Sequence, residues 1–140
     1  MTDQGVRPGI FVKILLVDDE EEFVHTLAER LETRGLKPAV AYDGEQALAR
    51  VKVDEPEIMV LDLRMPGMHG MEVLRNVKRD HPDVQVIILT GHGSEADREL
   101  SDKLGAFAYL QKPVNLNRLV DVMKAAYRKL KGKPWPAGGR

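Results

Sequence analysis

The chain contains no cysteine in 140 residues, which excludes disulfides, thiolate chemistry and cysteine-based metal sites. It has no surplus of either charge: 21 lysines and arginines stand against 22 aspartates and glutamates. Without a basic excess, nothing marks a surface built to neutralise nucleic-acid phosphates or to lie on a membrane. No apolar run approaches the roughly 18 residues of a membrane span, and the N-terminus lacks a signal-peptide pattern, so a cytoplasmic location is expected. The length suits one domain with a real core.

What the chain does have is four apolar runs, each ending abruptly in a polar residue. Val12-Lys13-Ile14-Leu15-Leu16-Val17 stops at Asp18-Asp19, and Ile58-Met59-Val60-Leu61 stops at Asp62. Val86-Ile87-Ile88-Leu89 stops at Thr90, and Ala108-Tyr109-Leu110-Gln111 at Lys112. Between these runs lie segments with helical spacing, such as Phe23, Val24, Leu27 and Leu31, or Met71, Val73, Leu74 and Val77. A short strand is expected over 37–41 and a small helix over 44–52. Ser94 to Asp97 has the form of a capping box. Leu116, Leu119, Val120, Met123, Tyr127 and Leu130 line one face of a last helix. The segment 132–140, rich in Pro and Gly, reads as a frayed tail with Trp135 uninvolved.

Strict alternation of strand and helix predicts an α/β fold with a parallel sheet and right-handed crossovers. The simplest arrangement is a doubly wound, five-stranded, flavodoxin-like sheet of order 2-1-3-4-5 with helices on both faces. Its switch point lies between strands one and three, where such folds bind ligands at the strand carboxyl ends. Asp18, Asp19, Asp62, Thr90 and Lys112 are therefore expected at one rim.

Gathering carboxylates is expensive. Two unit charges ~5 Å apart repel by about 3 kcal/mol at an effective dielectric of ~20, against a net domain stability of about 5–15 kcal/mol. A cation should therefore join them. Oxygen ligands without cysteine, and with no histidine at the strand ends, favour Mg²⁺ or Mn²⁺. Lys112 adds a point charge and Thr90 a hydroxyl donor. Taken singly each residue has a plain structural use, as a helix cap, a turn residue or a solvated lysine. Glu20, Glu21 and Glu22 are assigned to the positive N-terminal end of the first helix, with a place for Glu20 in the metal's outer shell as the lesser reading. The histidines at 25, 69, 81 and 92 show no ligand spacing.

Residues 11–131 resemble the receiver domain of bacterial two-component response regulators, with flexible termini at 1–10 and 132–140. The resemblance rests on Leu16-Val17-Asp18-Asp19, on Leu61-Asp62-Leu63-Arg64-Met65-Pro66-Gly67-Met68-His69-Gly70, on Leu89-Thr90-Gly91 and on Tyr109-Leu110-Gln111-Lys112-Pro113. Each piece alone is common; the ordered set is specific.

The resemblance implies that Asp62 accepts a phosphoryl group from a phosphohistidine on a sensor histidine kinase or phosphotransfer protein. It implies Mg²⁺ held by Asp18, Asp19, Asp62 and the Arg64 backbone carbonyl, with Lys112 and Thr90 completing the catalytic set. Thr90 and Tyr109 would form a switch acting on the face of the fourth helix, fifth strand and fifth helix. Arg64 and His92 flank the path of a hydrolytic water and are expected to tune the lifetime of the phosphoryl group. A cis Lys112-Pro113 bond is also implied. Such a chain is no enzyme beyond its own phosphorylation and dephosphorylation. Its output partner would be a downstream protein or a missing effector domain, or a second copy in a phosphorylation-dependent homodimer. Two alternatives stand beside this: an Mg²⁺-dependent phosphatase with an aspartyl nucleophile, and a flavodoxin-like cofactor module. The first usually wants an acid where Arg64 stands. The second wants a phosphate-cradling loop where Asp18-Asp19-Glu20 would repel phosphate.

Overall fold

The computed structural model describes residues 12–136. Five strands and five helices alternate as predicted: β1 (Ile14–Val17), α1 (Glu21–Glu32), β2 (Ala39–Ala41), α2 (Gly44–Val53), β3 (Ile58–Leu61), α3 (Gly70–Asp80), β4 (Gln85–Thr90), α4 (Glu95–Lys103), β5 (Ala108–Gln111) and α5 (Leu116–Lys131). The strands form one sheet in the order β2-β1-β3-β4-β5, and every pairing is parallel. The expectation of flexible termini falls outside the described residues at 1–10 and 137–140.

β1 and β3 are apolar at every position, and β4 is apolar from Val86 to Leu89, because both sheet faces are covered there. Side chains nevertheless alternate between two cores. Ile14, Leu16, Ile58, Val60, Ile87 and Leu89 face α1 and α5, meeting Val24, Leu27, Leu31, Leu119, Val120 and Met123. Leu15, Val17, Met59, Leu61, Val86 and Ile88 face the other way, toward α2 and α3 with Ala47, Val51, Val73, Leu74 and Val77.

Some boundaries differ from the sequence expectation. β2 covers Ala39–Ala41, not 37–41; Pro38 has no N–H to give a neighbouring strand. The tail also departs from the frayed expectation. Trp135 packs edge-on against Tyr127, with ring centroids 5.6 Å apart, and adds to the core beneath α5. An indole buries more apolar area than any other side chain of this tail, and the buried Tyr127 ring gives it a surface to pack on.

Candidate functional site: an acidic rim closed by a lysine

Strand register brings the polar residues together. Val17 pairs with Leu61, so Asp18 and Asp62 leave adjacent strands side by side. The Asp62 N–H donates to the Val17 carbonyl at 3.0 Å, and the Asp18 N–H to the Ala41 carbonyl at 3.1 Å. On the other flank Thr90 pairs with Gln111, and the Lys112 N–H donates to the Thr90 carbonyl at 2.9 Å. The Lys112-Pro113 peptide is cis.

Asp18 and Asp62 are each only 4% exposed and Thr90 is fully buried. The Lys112 ammonium stands among the acids, with Nζ 2.7 Å from Asp18 Oδ2, 2.8 Å from Glu20 Oε1 and 3.5 Å from Asp62 Oδ2. It also lies 4.2 Å above the centre of the Phe23 ring, a cation–π arrangement. Asp18 Oδ1 accepts the Glu20 N–H at 3.0 Å, so both Asp18 oxygens are engaged. Asp62 differs. Its Oδ1 is buried and has no hydrogen-bond partner.

This crowding sets the electrostatics. Burial pushes the Asp18 carboxyl up, against the pull of Lys112 and the Glu20 N–H, and the Asp62 charge adds to the rise. Burial opposes the charge on Lys112, but hydrogen bonds to Asp18 and Glu20 and the charges of Asp18 and Asp62 outweigh it, so its pKa rises. A raised acid beside a raised base pulls in two directions. The Lys112 direction governs, because one ammonium faces three carboxylates. The repulsion inferred from the sequence is thus already partly neutralised by the chain's own cation.

Among the described residues, Asp18, Glu20 and Asp62 can each offer a carboxylate oxygen within 4.8 Å of the others. Three hard carboxylate donors, with the orphaned buried Oδ1 on the same Asp62 carboxylate, fit a divalent cation of the Mg²⁺ class. Asp19, half-buried beside them, is not in this group. Glu20 is, although its sequence position points first to a charge at the helix end and only second to the metal's outer shell. It occupies the N-cap position of α1 but makes no side-chain cap bond; Lys112 takes that carboxylate instead. Its position two residues after Asp18 was the available signal. The sequence pattern marks Phe23 only as a core position, and nothing local reveals the ammonium above it.

Arg64 and His92 are both exposed, in the loops after β3 and β4. Burial raises the Tyr109 pKa, and the Arg64 charge opposes part of that rise. The Tyr109 hydroxyl is buried without a hydrogen-bond partner.

The chain as a whole is similar to known proteins. Residues 14–124 match the model of the response regulator receiver domain. The chain belongs to the response regulator receiver domain family. It is 44% identical over 117 residues to the transcriptional regulatory protein CpxR of Escherichia coli K12, covering 84% of this chain and 50% of that protein. The chain thus spans about half the length of that curated relative. A CheY-like receiver from Methanospirillum hungatei superposes with a TM-score of 0.84 at 27% identity, covering 87% of this chain and 98% of the other. A Burkholderia pseudomallei response regulator, solved with a phosphorylated aspartic acid, a calcium ion and citrate, superposes with a TM-score of 0.77 at 28% identity. There the match covers 86% of this chain and 71% of the other. The receiver is a signalling domain of a two-component response regulator, and neither the phosphatase nor the cofactor-module alternative finds support.

Proposed function

We propose that Asp62 is the phosphoryl acceptor of this receiver and that Lys112 neutralises the transferring group. One observation carries the reading: Asp62 keeps one oxygen near Lys112 at 3.5 Å while Oδ1 is buried and unpartnered. In the transfer, Asp62 Oδ1 forms a bond to phosphorus as the donor's P–N bond breaks, and the departing imidazole keeps its electron pair and takes up a proton. Charge building on the phosphoryl oxygens is met by an ammonium already aimed into the rim, so little reorganisation is needed.

Asp18, Asp62 and Glu20 are the side chains suited to hold Mg²⁺, with Asp19 and the Arg64 carbonyl as further ligands in the same proposal. Bound there, the ion would supply further neutralisation of the phosphoryl charge. The phosphorylated aspartic acid and calcium ion of the Burkholderia relative support both assignments. Thr90 and Tyr109 form the switch, and Arg64 and His92 tune the lifetime of the acyl phosphate.

The phosphoryl donor is a sensor histidine kinase or phosphotransfer protein in the cytoplasm. The output passes through the α4–β5–α5 face to a protein target, an effector domain or a second copy of the chain. Incubation with Mg²⁺ and acetyl phosphate, followed by intact-mass measurement, tests the assignment. The expected result is one added phosphoryl group, absent in Asp62→Asn. Equal labelling of that variant would assign the acceptor elsewhere.

A further inference from the structure

Gly93 lies three residues after Thr90, in the loop before α4, and its backbone is not in the left-handed region. Glycine is therefore not needed there for conformation. It is needed for space. A Cβ added at Gly93 would fall on the Tyr109 hydroxyl, 2.5 Å from Tyr109 Cζ and 3.1 Å from Thr90 Cγ2. The tip of the tyrosine thus rests over a bare Cα, and the methyl of Thr90 borders the same spot. Gly91, two residues earlier, provides the contrast. A Cβ there would meet only the Lys112 stem at 3.8 Å and 3.9 Å, an ordinary contact.

We propose that Gly93 is a positioning residue that forms the seat of Tyr109 and so couples Thr90 to the α4–β5–α5 face. The seat exists only while residue 93 lacks a side chain. A Cβ there leaves no room for the phenol where it lies, and because the overlap is with the outer end of a side chain, the ring is what turns away. An expelled ring has room to leave, since Tyr109 also borders a groove of ≈ 550 Å³ lined by Ser94, Glu95, Arg98 and Arg118. The seat holds the ring by shape and not by polarity, because the buried hydroxyl has no partner. Tyr109→Phe should therefore still seat, whereas Gly93→Ala should not. The coupling half of this inference rests on Asp62 being the phosphoryl acceptor; the seat itself does not.

The test uses the full chain labelled with meta-fluorotyrosine and read by fluorine NMR, with the Tyr109 resonance assigned through Tyr109→Phe. In wild type and Gly91→Ala, the Tyr109 signal should show little shift between light and heavy water. In Gly93→Ala it should acquire the solvent shift of an exposed ring. Acetyl phosphate with Mg²⁺ should then move the Tyr109 signal in wild type but not in Gly93→Ala, while intact mass shows both taking up one phosphoryl group. That split is a readout that simple destabilisation would not produce.

An unchanged solvent shift in Gly93→Ala overturns the proposal. If Gly93→Ala proves too unstable to read, the double variant Gly93→Ala, Tyr109→Ala should recover the melting temperature of Tyr109→Ala alone; failure to recover it also overturns the proposal. If wild type takes up no phosphoryl group, the acceptor assignment and the coupling fall together, while the solvent shift still decides the seat.

Discussion

Helices α3 and α4 come after the two strands that end in Asp62 and Thr90, yet the protein holds them very differently. Both begin well. His69 Nδ1 accepts the Met71 N–H at 3.1 Å, and Ser94 and Asp97 form a reciprocal capping box with bonds of 3.1 and 3.2 Å. The difference lies in the helix bodies beyond those caps. α3 buries Gly70, Met71, Val73, Leu74 and Val77, whereas α4 buries only Ser101, and its Leu100 is 39% exposed. Caps of similar quality thus start one helix that is locked to the sheet and one held mainly by its own ends. Elements with few buried apolar contacts open at low free energy. By that measure the side of the proposed acceptor is the firmly held one, and the side assigned to signalling is the easier to move.

The sharpest way to break this contrast is a matched pair of truncations. Leu74→Ala should lower stability by about 2–5 kcal/mol through the cavity it leaves. Leu100→Ala should stay within about 0.5 kcal/mol. Urea melts of both variants provide the comparison, and equal losses would mean that α4 is packed as firmly as α3.

A second substitution probes how tightly α3 is set. A Cβ on Gly70 would collide with the Asp62 carbonyl oxygen and come within 2.6 Å of Leu63 Cα. Both are backbone atoms at the end of β3 and cannot step aside. Gly70→Ala should cost about 1–3 kcal/mol, read as a lower urea midpoint with an unchanged slope.

Amide exchange sharpens the contrast without mutation. Under conditions where opening limits exchange, protected amides of α4 should exchange roughly tenfold faster than those of α3. Mass-resolved exchange on peptides covering 70–80 and 95–103 measures it. Equal protection would remove the argument for a loosely held α4.

The smallest effect concerns Tyr109, at the border of the α4 side. Burial pushes its phenol up from the ordinary value of about 10, the Asp97 charge adds to the rise, and Arg64 opposes it. The folded state therefore keeps this proton when the unfolded chain has lost it. Stability should be unaffected below the ordinary tyrosine range and should fall as pH rises through it. Tyr109→Phe should flatten that alkaline decline, measured as melting temperature against pH.

Much of the site was legible because each polar residue ends an apolar run. Asp18, Asp62, Thr90 and Lys112 could be placed at one rim from alternation and the rules of parallel sheets alone. Glu20 was legible only as the lesser reading, because its partner Lys112 is 92 residues away. Trp135 was misplaced for a related reason: a segment rich in Pro and Gly gives no local sign that it folds back onto Tyr127. The role of Asp19 rests on the family resemblance alone, whereas Glu20 stands out by the grouping of its carboxylate with those of Asp18 and Asp62.

The order of strands and helices, the two-faced core and the identity of the rim residues arise from patterns a few residues long, and local periodicity is enough to specify them. Which carboxylate oxygens the ammonium engages, which Asp62 oxygen is left without a partner, and why Gly93 must be bare depend on side chains brought together from distant parts of the chain. Those contacts form only when register and packing are set, so the tertiary structure alone decides them.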